Sequence, residues 1–260
     1  METVAQNIYR LTMPYKDIYT TVLIIKSPYG AVLFDTATYR EDVENTILPA
    51  LNELEITGEE LKYIVISHFH GDHAGGLQWV TEPFPDACIL SRSADLQEKY
   101  GAAVRCPEDG ELFLGSLQII AVPGHSADSL CLLDTETGTL ISGDSLQLYG
   151  IYGSGTWGAS VGMPVEHLEA IDKLRRLDIR RIVASHDYHP FGYLAEGRNA
   201  VQKYLDACPE ALYRILDAIR SHPDMDSESL AAMYNGQSGL PTVNKRIFEN
   251  LREASVLGRI

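Results

Sequence analysis

The stretch "YIVISHFHGDHAGG", residues 63 to 76, sets three histidines and an aspartate within six positions, directly behind a continuous apolar run. Such a run reads as a strand buried on both faces, which requires covering layers above and below it and so a layered α/β fold. Alternate residues of an extended segment point the same way, so His68 and His70 can grip one ion together. Gly71 permits a tight change of direction, after which Asp72 and His73 turn toward a second ion. "DHAGGLQWV" can open a helix with Asp72 at its amino end. A single histidine is more often a surface or hydrogen-bonded core residue. Three so close together, with an aspartate between them, point to metal.

The first 190 residues alternate β-rich runs with helical stretches. "TTVLIIKSPYGAVLFDTAT" reads as strand, turn at Pro28-Tyr29-Gly30, strand. "YREDVENTILPALNELEI" carries Val43, Ile47, Leu51 and Leu54 at helical spacing. From residue 111 the order begins again: "LFLGSLQIIAVPGH" ends at His125, "SLCLLDTETGTLISGDS" is strand, turn and strand, and "PVEHLEAIDKLRRL" is an amphipathic helix. The halves echo each other. "VLIIKSPYGAVLFDT" and "SLCLLDTETGTLISGDS" each end at an aspartate, Asp35 and Asp144, and "YIVISHFH" and "RIVASHDYH" each release a Ser-His pair, with His68 and His186. Two related β-then-α halves, sheet to sheet with helices outside, would gather His68, His70, Asp72, His73, His125, Asp144 and His186 along one edge.

Charge narrows the partners. The net charge is −15, and residues 196–260 hold 8 basic against 9 acidic side chains, so the acidity lies in the preceding body. Such a body repels a phosphate backbone or an anionic membrane surface, which excludes nucleic acid and membrane as partners and leaves a small-molecule substrate. The start of the chain lacks a basic segment followed by an apolar run. Cys88, Cys106, Cys131 and Cys208 form no C-x-x-C pair, and reduced structural thiols in a cytoplasm are the expectation.

With these residues in view, the chain resembles the metallo-β-lactamase fold superfamily, in its glyoxalase II and lactonase-like branch. The carriers are His68-x-His70-x-Asp72-His73, "PGHS" with His125, "SGDS" with Asp144 and "ASHDY" with His186, and the resemblance covers roughly residues 5 to 190. The resemblance implies a four-layer αββα sandwich over residues 1–195, followed by a helical extension over 196–260. It also implies a two-metal site: one ion on His68, His70 and His125, the other on Asp72, His73 and His186, with Asp144 bridging. Two zinc ions are the expectation, iron or manganese also suiting such ligands. Cations about 3.5–4 Å apart lower the pKa of a shared water, and the bridging hydroxide attacks an ester-like bond of a lactone, carboxyl ester or thioester. Asp72 would orient the nucleophile or pass a proton to the leaving group. Asp35 matches a family aspartate that supports a ligand histidine from behind, a strand-end turn carboxylate being the plainer alternative. His70 stands where the superfamily's diiron electron-transfer proteins usually carry glutamate, which favours hydrolysis. The alternatives are a β-lactam hydrolase and an iron-dependent oxygenase of the persulfide dioxygenase kind.

For the pocket, the glycine-rich stretch 145–163 offers Tyr149, Tyr152 and Trp157, and the first hairpin offers Tyr15 and Tyr19. Tyr149 is the nearest counterpart of a tyrosine that assists catalysis in acyl-homoserine lactonases, though its spacing from Asp144 is longer. His189 either lines the pocket or stacks on Pro190. Asp187 and Tyr188 are weaker candidates for orienting His186, and His167 and His222 read as solvated helix residues. The helical tail would close one side of the cleft or mediate self-association into a homo-oligomer.

Overall fold

The structure is a computed structural model and describes residues 1–154 and 157–260. One sheet runs in chain order through β1 (Glu2–Ala5), β2 (Ile8–Tyr15), β3 (Ile18–Ser27), β4 (Gly30–Phe34), β5 (Leu61–Val65), β6 (Cys88–Leu90) and β7 (Val104–Arg105). Its strands are antiparallel up to β4 and parallel from β4 onward. The second sheet contains β8 (Leu112–Phe113), β9 (Leu117–Ala121), β10 (Leu130–Asp134), β11 (Thr139–Ile141), β12 (Arg181–Val183) and β13 (Leu194–Glu196), ordered from β13 back to β8. Among the described residues only β11 and β12 pair in parallel there.

The echo in the sequence has a structural counterpart. The hairpin β3–β4 leads to parallel β5, and the hairpin β10–β11 leads to parallel β12. A parallel step needs a crossover long enough to return over the sheet. The first is α1 (Arg40–Asp42), a π-helical stretch Val43–Ile47 and α2 (Leu48–Glu53); the second contains α6 (Pro164–Leu174). The π-helical widening ends two residues before Pro49, which has no N–H to extend an α-helical ladder. Asp35 and Asp144 follow the second strand of each set, and His68 and His186 follow the third.

Side-chain alternation separates the layers. Val22, Ile24 and Leu33 face outward to Val43, Ile47, Leu51 and Leu77. Leu23, Ile25, Val32 and Phe34 face inward to Ile119, Leu130, Leu132 and Ile141 of the other sheet. Ile120, Leu133 and Ile182 meet Ile171 and Leu174 of α6 on the far side. These are the four layers of an αββα sandwich, and each fully buried aliphatic side chain in them contributes roughly 1.5–3 kcal/mol.

The helix expected from "DHAGGLQWV" is two pieces, α3 (Gly71–Ala74) and α4 (Leu77–Thr81). They are split at Gly75-Gly76, where the chain passes against the Thr36–Thr38 loop. A Cβ on Gly76 would lie 2.1 Å from the Thr36 carbonyl oxygen, and one on Gly75 would lie 2.4 Å from the Gly71 oxygen. Neither backbone oxygen can move cheaply. Gly76→Ala is expected to cost about 1–3 kcal/mol, read as a lowered denaturant midpoint with an unchanged slope.

The remaining helices are α5 (Ala94–Tyr100) beside the first sheet, and α7 (Arg198–Ser221), α8 (Ser227–Ser238) and α9 (Lys245–Val256) after the second. The early part of α7 lays Val201, Tyr204 and Leu205 on the second sheet's outer face. Its later part, with Leu212, Ile215 and Ile219, packs with α8, α9 and the loop residues Ala159 and Val161. Among the described residues no helix is long and apolar enough to cross a membrane.

Candidate metal centre

The edge where β4, β5, β9, β11 and β12 end collects the histidines and aspartates. His70 Nδ1 lies 2.9 Å from His68 Nε2 and 3.0 Å from His125 Nε2. Beside this trio, His186 Nε2 is 3.3 Å from Asp72 Oδ2, and His73 Nε2 is 3.5 Å from the same oxygen. Asp144 stands between the two sets. Its Oδ1 is 3.4 Å from His73 Nε2 and 3.3 Å from His186 Nε2, and its Oδ2 is 3.8 Å from His125 Nε2. Metal–nitrogen bonds of about 2.0–2.1 Å in a tetrahedron set the donors roughly 3.3 Å apart, which is the spacing found here.

The outward-facing nitrogens are held by fixed acceptors. His73 Nδ1 donates to Asp35 Oδ2 at 2.8 Å, and His68 Nδ1 to Ser67 Oγ at 3.0 Å. His125 Nδ1 donates to the Ser160 carbonyl at 2.8 Å, and His186 Nδ1 to the Tyr19 carbonyl at 2.7 Å. These acceptors put the proton on Nδ1 and leave each Nε2 lone pair turned inward. Asp35 is fully buried in the left-handed region, φ 64°, and it also accepts from Ser67 N and Ser67 Oγ. The carboxylate expected to support a ligand histidine sits behind His73. The C-terminal helices reach this shell indirectly. Gly158 N donates to the Thr242 carbonyl at 2.8 Å and Asn250 Nδ2 to the Gly162 carbonyl at 3.0 Å, flanking the Ser160 carbonyl that orients His125.

The donor set fits a pair of divalent cations. Among the described residues His73 Nε2 and Asp144 Oδ1 are buried atoms that make no hydrogen bond, although both point into the cluster. Such atoms cost free energy unless something positive lies between them. Burial lowers the His68 and His125 pKa values, which keeps those rings neutral and able to ligate. Burial also lowers His186, but the Asp144 and Asp72 carboxylates outweigh it and raise the ring to about 9. Burial would raise Asp72 and Asp144, yet the neighbouring imidazoles hold both below the usual carboxylate range.

In the metal-free protein His186 therefore has a folded pKa above its unfolded value of about 6.5. Its contribution to stability is complete below pH 6.5 and is lost as pH rises through 9. Cations compete with the same proton, so their affinity runs the opposite way. Thermal melts of metal-free protein should fall in Tm between pH 6.5 and 9. Apparent cation affinity should rise over that interval.

A cavity of about 270 Å³ opens onto the cluster. Its apolar wall is Tyr15, Ile18, Ile151 and Trp157, and its polar floor includes Gln147, Ser160 and Tyr188 beside the cluster. The Trp157 indole donates to Asp17 Oδ1 at 2.7 Å, tying the pocket loop to the tip of the first hairpin. A larger cavity of about 570 Å³ lies at the opposite strand ends, near Tyr29 and Thr137, and contains none of the cluster residues.

The other pocket expectations need correction. Tyr149 turns away, its ring 5.1 Å from the Arg214 guanidinium on α7. Tyr152 and His189 pair with each other, ring centroids 4.5 Å apart, and Tyr152 donates to the Pro190 carbonyl. All three lie outside the cavity lining. His167 is also not solvated. It is 1% exposed, packed under Gly124, and burial lowers its pKa to about 4.

Residues that sequence reasoning passed over include Gln147, whose Nε2 donates to the Asp144 carbonyl at 2.8 Å and to Tyr188 Oη at 3.2 Å. Its signal was a lone amide within the apolar run "SLQLYG". Tyr188, given little weight, forms part of the cavity floor.

The sequence model described as the metallo-beta-lactamase superfamily matches residues 16–186. The uncharacterized protein YobT of Bacillus subtilis (strain 168) is 33% identical over 126 residues, 40% of this chain and 53% of that protein. The hydroxyacylglutathione hydrolase of Crocosphaera subtropica is 33% identical over 148 residues, 54% of this chain and 56% of that protein. The chain thus spans little more than half the length of either relative. The crystal structure of the metallo-beta-lactamase family protein TTHA1429 from Thermus thermophilus superposes with a TM-score of 0.68 at 17% identity, covering 98% of this chain and 95% of that one. At that identity the likeness speaks for the fold.

Proposed function

Because the chain belongs to the metallo-beta-lactamase superfamily, we propose that it is a binuclear, zinc-dependent hydrolase of an ester-like bond in a small cytoplasmic substrate. The observation that carries this reading is the convergence of inward-turned donors whose outward nitrogens are already committed. His68, His70 and His125 would hold one ion, Asp72, His73 and His186 the other, and Asp144 would face both. A bound pair of divalent cations supplies Lewis acidity and water activation near neutral pH.

The chain's own groups do the rest. Asp72 is ionised at neutral pH and lines the cavity, so it accepts a proton from the attacking water and returns it to the leaving alkoxide or thiolate. Gln147 ties Asp144 to Ser160 through both ends of its amide. Tyr15, Ile18, Ile151 and Trp157 take the acyl or ring portion of the substrate and displace water from it. The relatives named hydroxyacylglutathione hydrolase support a thioester. The lining, which includes no Lys or Arg among the described residues, supports an uncharged group next to the scissile bond.

Metal analysis and a hydrolysis panel test the reading together. Protein from unsupplemented medium should carry two zinc ions and cleave lactones, carboxyl esters or thioesters well ahead of phosphodiesters and β-lactams. A single iron, or full turnover by metal-stripped protein, would overturn it.

A further inference from the structure

Strand β3 carries Tyr19, Thr20 and Thr21 between Ile18 and its apolar run, and both threonines are fully buried. Adjacent strand residues point to opposite faces. Thr20 shares its face with Val22 and Ile24, toward the outer helices, and Thr21 shares its face with Leu23, toward the other sheet. Each hydroxyl finds a main-chain oxygen beside the cluster. Thr20 Oγ1 donates to the Asp72 carbonyl at 2.8 Å, and Thr21 Oγ1 donates to the Ser185 carbonyl, next to His186, at 3.0 Å. The Tyr19 carbonyl accepts from His186 Nδ1 at 2.7 Å. One short piece of strand thus grips Asp72 from the first half and His186 from the second. The donors of the other set are anchored elsewhere, His68 by Ser67 and His125 by Ser160.

We propose that Thr20 and Thr21 are positioning residues for the cation position built from Asp72, His73 and His186, and that the position built from His68, His70 and His125 does not depend on them. The inference rests on the two-ion reading above. A buried carbonyl that loses its donor is left unsatisfied and shifts to find another partner. The carboxylate or imidazole on the same backbone shifts with it.

The test is a zinc titration of metal-stripped protein against a chromogenic chelator, which resolves two affinities. In Thr20→Val the shape is kept and the hydroxyl lost. The Asp72-side affinity should fall on the order of 10–100-fold, while the other changes less than about threefold. In steady state kcat should fall with KM little changed, and Thr20→Ser should restore both readouts. Thr21→Val acts through Ser185, is expected to move the same affinity, and carries the comparison if Thr20→Val does not fold. Two wild-type affinities in the valine variants, or equal weakening of both, would overturn the proposal. Wild-type protein taking up fewer than two ions would instead overturn the two-ion reading on which it stands.

Discussion

Asp144→Ala should lose at least about a thousandfold in kcat/KM on any ester the protein cleaves, roughly 4 kcal/mol of transition-state stabilisation. Both carboxylate oxygens are turned into the cluster, Oδ1 toward His73 and His186 and Oδ2 toward His125, so alanine removes the group that faces both sets of donors. The fold should survive. Asp144 follows β11 in a tight turn at Gly143, outside the apolar layers. Far-UV circular dichroism unchanged, with zinc stoichiometry and turnover both down, is the expected pattern. Wild-type turnover in this variant would remove Asp144 from the mechanism.

Asp35→Asn should be nearly as severe although the side chain touches no substrate. The carboxylate accepts from His73 Nδ1, Ser67 N and Ser67 Oγ at once. An asparagine keeps the shape but brings an N–H₂ group that must face one of those donors. Facing His73, it drives the ring proton to Nε2, where the ligating lone pair belongs. Facing Ser67, it opposes a backbone N–H. The strained backbone at φ 64° is no obstacle, because asparagine tolerates that region as well as aspartate does. Zinc affinity should weaken about 10–100-fold, measured by the same chelator competition, and the pH at which half the protein is loaded should rise.

Much of this arrangement could be seen in the sequence, and the reasons are local. An apolar run ending in "HFHGDH" fixes strand, exit and donor spacing within a dozen residues, and the repeat of Asp35 and His68 in Asp144 and His186 reflects one strand order used twice. Direction in the glycine-rich loop could not be read. Gly150 has φ 126°, and a Cβ there would meet Pro241 and Trp157, so the backbone at Gly150 is set by packing against the connection between α8 and α9. That is why Trp157 enters the cavity while Tyr149 and Tyr152 leave it. His167 was a different kind of miss. Its helix buries Pro164, His167, Ile171 and Leu174, the three- and four-residue spacing of a covered face, so the signal was present but was outweighed by the polarity of the side chain.

His70 differs from the other four imidazoles: it is exposed and turns Nδ1, not Nε2, to the cluster. Its ring leans on His68 and His125, but among the described residues no fixed acceptor holds its outward nitrogen, which makes it the door of the cage. Ions should come and go past it, and radioactive zinc should exchange out of the His68–His125 side first.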